Sequence, residues 1–337
     1  MAPREPLPPS NPKPGVSRRT STSSKLEDMT DSSLTNWTGR DDGPGPEHAR
    51  WHNRIQAVDP TQPGVALLGF ASDEGVRRNQ GRVGAAQGPA AIRAALGSFA
   101  VHHDFALYDA GDIDVVENDL AGAQQRYGNA LAGLLSQNHM TVGLGGGHEI
   151  AWASYLGVRA AFPDARLGMF NLDAHFDNRP GEQATSGTGF AQIMEAETGR
   201  NTLVSAMGVA EASNTADLFN RARQAGIGWM TDDRWITYPG EAGRAVAQLL
   251  EQADIVYLTI DLDVLPAAVA PGVSAPAAYG VPLPLVSAVI DHVAASGKLV
   301  HADIAELNPS LDVDGRTAAV AARLVDRLTS AARARTW

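Results

Sequence analysis

Leu167-Gly-Met-Phe-Asn-Leu-Asp173-Ala-His175-Phe-Asp177 begins as a short, mostly apolar run and ends on three side chains of metal-ligand type. A short apolar run bounded by polar residues reads as a strand buried on both faces, the usual appearance of a strand in a parallel sheet. Asp173, His175 and Asp177 are two apart, so on an extended chain they share one side. The same arrangement recurs in Ile255-Val-Tyr-Leu-Thr-Ile-Asp261-Leu-Asp263, where two carboxylates follow an apolar run. It recurs again in Met140-Thr-Val-Gly-Leu-Gly-Gly-Gly-His148-Glu149, where glycines permit a tight turn and put His148 at a helix N-terminus. The helix dipole there favours neutral imidazole, the ligating form. No Lys-Ser/Thr pair follows these glycines, which argues against a phosphate-binding loop.

Working outward, short apolar runs alternate with stretches of helical periodicity from Gly64 onward. Strands are expected over 65–70, 140–144, 167–172, 202–207, 227–230, 255–260 and 299–304. Helices are expected over 89–96, 118–135, 149–161, 215–225, 241–252, 283–295 and 316–333. The fold class is therefore α/β, a single domain with three α/β/α layers and a mainly parallel sheet. In open sheets of this kind ligands bind beyond the carboxyl ends of the strands, which is where His148, Asp173, His175, Asp177, Asp261 and Asp263 all fall. Burying so many carboxylates without a cation would be costly. Four aspartates match the charge of two divalent cations. Imidazole and carboxylate ligands, with no cysteine anywhere in the chain, suit Mn²⁺ better than zinc.

Composition narrows the partners. Of 337 residues, 44% are hydrophobic and 19% charged, a globular mix. The formal charge of −11, from 27 Lys plus Arg against 38 Asp plus Glu, argues against a general nucleic-acid binder. No apolar run approaches the roughly 18 residues of a membrane span, so no membrane partner and a cytoplasmic address are expected. The N-terminal stretch is different: six of the first fourteen residues are proline, and six of the eight from Ser17 to Ser24 are Ser or Thr. Residues 1–45 are expected to be a disordered extension and 46–337 the catalytic domain.

The residues Gly-Gly-Gly-His148, Asp173-Ala-His175-Phe-Asp177 and Asp261-Leu-Asp263 resemble the metal motifs of the ureohydrolase superfamily of arginase and agmatinase, over roughly residues 64 to 330. The resemblance implies two Mn²⁺ per chain, with Asp173 and Asp261 bridging them. His148 and Asp177 would complete one site, His175 and Asp263 the other. Glu306, in Ala305-Glu-Leu-Asn-Pro309, matches the acidic residue that grips a guanidinium or amidinium group, a planar donor pair suited to a carboxylate. Within the superfamily, Asp73-Glu-Gly-Val-Arg-Arg-Asn-Gln-Gly-Arg82, His175-Phe-Asp-Asn-Arg179-Pro180 and Thr185-Ser-Gly-Thr-Gly-Phe190 look like formimidoylglutamase. That implies hydrolysis of N-formimidoyl-L-glutamate to L-glutamate and formamide, with hydroxide bridging the paired Mn²⁺ attacking the amidine carbon.

Such a small-molecule substrate joins a cationic amidine to two carboxylates, so basic residues are expected opposite the metals. Arg179 is the first choice, Arg77, Arg78 and Arg82 form a basic loop, and Ser186 and Thr188 are further candidates for a substrate carboxylate. Arginases carry a proton-shuttling histidine in the loop after the metal motif, whereas Phe190 stands at the corresponding place here. Arginine hydrolysis is therefore disfavoured, and Asp177 is expected to take part in proton transfer. A homo-oligomer is expected. The alternatives are another amidinohydrolase, such as agmatinase or guanidinobutyrase, and a catalytically silent metal-binding sensor or scaffold.

Overall fold

In a computed structural model the chain is described for Met1, Leu34 and residues 37–335. Nine strands form one sheet: β1 Ile55–Ala57, β2 Gly64–Ala71, β3 Ala106–Asp114, β4 Met140–Gly145, β5 Leu167–Leu172, β6 Leu203–Val209, β7 Gly228–Thr231, β8 Ile255–Asp261 and β9 Leu299–Ala305. Their order is β1-β3-β2-β4-β9-β8-β5-β6-β7, and every strand pair is parallel.

Alternation along the strands separates two cores. Val65 and Leu67 of β2, with Val256, Leu258 and Ile260 of β8, point to the face covered by α1 Gly88–Leu96, α6 Pro239–Gln252, α7 Leu283–Ala295 and α8 Arg316–Thr329. Ala66, Leu68 and Phe70, with Tyr257, point to the face covered by α2 Leu120–Ser136, α3 Ile150–Ala161, α4 Gly189–Ala196 and α5 Ala216–Gln224. Both faces of the sheet are thus dry, the three-layer arrangement that continuous apolar strands require.

All seven expected strands form. Strands β1 and β3 and helix α4 were not among those expected. Strand β3, Ala-Leu-Tyr-Asp109-Ala-Gly-Asp112-Ile-Asp114, carries three aspartates, of which Asp109 is wholly buried. Arg93 of α1 holds the Asp109 carboxylate with Nε at 2.8 Å and Nη2 at 2.9 Å, and Trp37 Nε1 donates to it at 2.7 Å. Most of the stretch 1–45 lies outside the described residues. From Trp37 the chain is part of the fold, because this buried indole also stacks on Trp51 at 6.2 Å.

Candidate metal centre and active-site cleft

Strands β4, β9, β8 and β5 lie side by side, so their carboxyl ends bring His148, Glu306, Asp261 with Asp263, and Asp173 with His175 and Asp177 to one place. The glycines after β4 make the turn possible. Gly146 N donates to Phe70 O and Gly147 N to Ser72 O, each at 2.8 Å, and a Cβ on Gly146 would fall 1.8 Å from Ser72 O. Only glycine admits that approach. His148 then stands two residues before the first helical residue of α3, Ile150.

The convergence after β5 is not the work of an extended chain, as the two-apart spacing suggested. Asp173 Oδ1 accepts from the backbone N–H of His175 at 2.6 Å, folding the chain into an Asx turn, and Asp177 has φ 47°. The end of β8 repeats the device, with Asp263 N donating to Asp261 Oδ1 at 2.8 Å. Glu306 is also left-handed, with φ 71°, and its Oε1 accepts from His148 N at 2.8 Å. Left-handed backbone at a carboxylate costs of order 1–3 kcal/mol and is kept where the surroundings demand it. Here it turns Asp177 and Glu306 into the cluster.

His148 Nδ1 faces three carboxylates, at 2.9 Å from Asp177, 3.2 Å from Asp173 and 3.3 Å from Asp261. His175 Nδ1 lies 3.0 Å from Asp263 and 3.5 Å from Asp173. The donors fall into two sets, His148 with Asp173, Asp177 and Asp261, and Asp173 with His175 and Asp263, sharing Asp173. Oxygen and imidazole donors without sulfur fit hard divalent cations.

The electrostatics fit as well. Burial raises the Asp261, Asp263 and Asp177 carboxyls, each pushed further by neighbouring aspartates. Asp263 lifts the His175 imidazole to about 12, and for His148 the facing aspartates outweigh a burial that alone would lower it. Among the described residues no Lys or Arg pairs with these four carboxylates, which face only the two imidazoles and one another. Burial, followed by the nearby Glu149, lifts Glu306 to about 8.

The cluster forms the floor of a cleft of about 620 Å³ lined by His148, His175, Asp177, Asp261, Asp263 and Glu306, with Arg179 and Ser186 on its wall. The Arg179 backbone N–H donates to Gly187 O at 3.0 Å, while among the described residues its guanidinium has no hydrogen-bond or ion-pair partner, Glu182 included. Ser186 Oγ accepts from Asn79 Nδ2 at 3.1 Å.

Three expected substrate contacts do not reach the cleft. Arg77 and Arg78 both close on the buried Glu74, Arg77 through Nε at 2.7 Å and Nη2 at 2.6 Å and Arg78 through Nε at 2.7 Å. The Arg77 hydrogen bond leads in holding Glu74 down to about 2. Arg78 also donates to Ala184 O and Asn118 O, so its guanidinium holds loops together, while Arg77 closes on Glu74 within its own turn. Thr188 Oγ1 is taken by Thr185 O and Gln192.

Arg82 does line the cleft, with Nε and Nη2 tied to Ser274 O and Val273 O. Asn79, Gln80, Ser274 and Ala275 complete the wall. The first two lie in the Asp73–Arg82 segment the sequence singled out, whereas Ser274 and Ala275 carry no chemical signal. Phe190 packs edge-on to the His148 ring at 6.4 Å, and its N–H donates to Asp177 O at 2.9 Å.

A family model described as "Arginase family" matches residues 63–330. A formimidoylglutamase of Nocardia farcinica is 52% identical, over 87% of this chain and 96% of that protein. One from Chromobacterium violaceum is 50% identical, over 86% and 95%. Among solved structures, a Trypanosoma cruzi formiminoglutamase with Mn²⁺₂ superposes with a TM-score of 0.77 at 24% identity, covering 85% of this chain and 99% of that one.

Proposed function

The chain belongs to the arginase family, and from that membership we infer that it is a manganese-dependent formimidoylglutamase, hydrolysing N-formimidoyl-L-glutamate to L-glutamate and formamide. The observation that carries this reading is the polarity of the cleft, with a carboxylate floor at one end and the unpaired Arg179 guanidinium on the wall. In this reading His148, Asp173, Asp177 and Asp261 would hold one Mn²⁺ and Asp173, His175 and Asp263, with Asp261 shared, the other. When bound, the pair supplies Lewis acidity that activates water at neutral pH and offsets charge in the transition state.

The chain's own groups do the rest. Glu306 accepts the amidinium N–H groups, and the cation relieves the buried carboxylate of the proton that burial forces on it. The reaction breaks the bond between the formimidoyl carbon and the glutamate nitrogen. Water supplies the oxygen of formamide, and the departing nitrogen takes up a proton. Asp177 is the group that holds this proton, since Phe190, which stands against the His148 ring, has none to give. Arg179 pairs with a carboxylate of the glutamate moiety, and Ser186 adds a hydroxyl donor.

Agmatine and guanidinobutyrate share the cationic head group. Agmatine would put an ammonium where Arg179 stands, a like-charge contact. A panel of formimidoylglutamate, agmatine, guanidinobutyrate and arginine, assayed with manganese, tests the assignment. Formimidoylglutamate should be consumed with the highest kcat/KM, and preference for any of the other three would replace the reading. A cytoplasmic address and a homo-oligomer belong to the same proposal, to be checked by cell fractionation and light scattering.

A further inference from the structure

Beneath the metal centre a second polar cluster is sealed inside the domain. His148 Nε2, on the side away from the carboxylates, lies 3.0 Å from Thr259 Oγ1, and Thr259 donates its hydroxyl to Asp303 Oδ1. Asp303 Oδ2 accepts from Tyr257 Oη at 2.7 Å and Ser154 Oγ at 2.6 Å. Ser154 Oγ in turn lies 2.9 Å from His301 Nε2, and His301 Nδ1 is 2.8 Å from Thr141 Oγ1. Thr141, Ser154, Tyr257, Thr259, His301 and Asp303 have no solvent exposure.

The direction of the protons between Asp303 and His148 follows from one group. An ionised carboxylate only accepts, and each hydroxyl has a single hydrogen to give. Thr259, Tyr257 and Ser154 each give theirs to Asp303. Thr259 is then left with lone pairs toward His148, so Nε2 must carry the hydrogen between them. Nδ1, on the side of Asp173, Asp177 and Asp261, is thereby the nitrogen left to exchange its proton for a cation. On the other arm, Ser154 accepts from His301 Nε2–H, and Thr141 Oγ1 lies between His301 Nδ1 at 2.8 Å and Val300 O at 3.3 Å. Burial alone would raise the Asp303 carboxyl, but His301, followed by the Ser154 and Thr259 hydroxyls, holds it below the usual range.

We propose that Asp303 is a positioning residue for the metal centre: acting through Thr259 it fixes His148 in its ligating tautomer and orientation, while Ser154 and His301 anchor Asp303 from behind. The proposal rests on His148 being a manganese ligand, as in the proposed function. Asp303 touches no metal ligand itself, so its effect must pass through the Thr259 hydroxyl.

The test is a double-mutant cycle read by Mn²⁺ titration of the full chain. Thr259→Val replaces the hydroxyl by a methyl of the same shape, and Asp303→Asn offers donors where only acceptance is tolerated. Each should weaken one of the two manganese sites about 10- to 100-fold, leaving the other near its wild-type affinity. Thr259→Ser should restore wild-type binding. Because both residues act through one hydroxyl, the double variant should bind no more weakly than Thr259→Val alone. Losses that multiply, or wild-type affinity at both sites in Thr259→Val, would overturn the proposal. Should Asp303→Asn fail to fold, the comparison of Thr259→Val with Thr259→Ser decides alone. A wild-type chain that bound no Mn²⁺ would instead refute the underlying metal reading.

Discussion

Two groups of buried carboxylates stand at opposite parts of the same sheet, and they are neutralised in different ways. Asp109 in β3 is met by the Arg93 guanidinium and the Trp37 indole, donors that belong to the chain. Asp173, Asp177, Asp261 and Asp263 at the ends of β5 and β8 face two imidazoles and one another. Where a protein buries a charge for structure it supplies the partner covalently, because an unpaired buried ion costs several kcal/mol. Where the partner is missing, the charge is compensated by something that binds. The arginines of the molecule divide along the same line: Arg93, Arg77 and Arg78 pair with internal carboxylates, and Arg179 pairs with none among the described residues.

Breaking the contrast at the metal end should give the largest effect. Asp173→Ala and Asp261→Ala should disturb both manganese ions and lower kcat/KM by roughly 10³-fold or more, if several kcal/mol of transition-state stabilisation go with them. His148→Ala should chiefly weaken one ion. Elemental analysis of the purified variants decides this, and two Mn²⁺ per chain in either aspartate variant would remove the bridging assignment. At the structural end, Arg93→Met should leave Asp109 buried and unpaired and cost about 3–5 kcal/mol in urea unfolding. Metal content at saturating manganese should be unchanged in the folded fraction.

Arg179 sharpens the comparison from the other side, as a cation held ready for a carboxylate from outside. Arg179→Ala should raise KM for formimidoylglutamate by about 1.5–3 kcal/mol, the range for a charge-assisted hydrogen bond, with both metals in place. Arg179→Lys should recover part of the loss. An unmoved KM in the fully metallated variant would shift the anion receptor to Arg82, the remaining arginine on the cleft wall. The smallest effect is expected at the N-terminus. We propose that residues 1–28 contribute nothing to the fold, so their deletion should leave thermal stability and activity within error. Deletion to residue 45 also removes Trp37 from Asp109 and Trp51, and should lower the melting temperature by about 2 °C, as a loss of about 1 kcal/mol does in a domain of this size.

Much of this was legible before any coordinates. The apolar runs at 167–172 and 255–260 could only be strands covered on both faces, and the ligand-type residues that end them could only lie at one edge of the sheet. That reasoning needs nothing beyond side-chain period and burial, which are local properties. No strand was expected at β3, where Asp109, Asp112 and Asp114 interrupt the apolar run and the partners of Asp109 lie 16 and 72 positions away at Arg93 and Trp37. The same reasoning misjudged Arg77 and Arg78, whose carboxylate was in view at Glu74 only three and four residues off, because nothing in the sequence says that Glu74 is buried.

The sequence by itself determined which residue types meet at the strand ends, and with them the chemistry: hard donors, an acidic floor and a nearby arginine. Tertiary structure decided how they meet. The Asx turns at Asp173 and Asp261 are local, but the left-handed backbone of Asp177 and Glu306 and the orientation of His148 above Thr259 and Asp303 are held by neighbours far along the chain. The physical reason is one of range. Hydrophobic periodicity is written residue by residue, whereas the pairing of a buried charge and the direction of a buried proton depend on every group within hydrogen-bond reach.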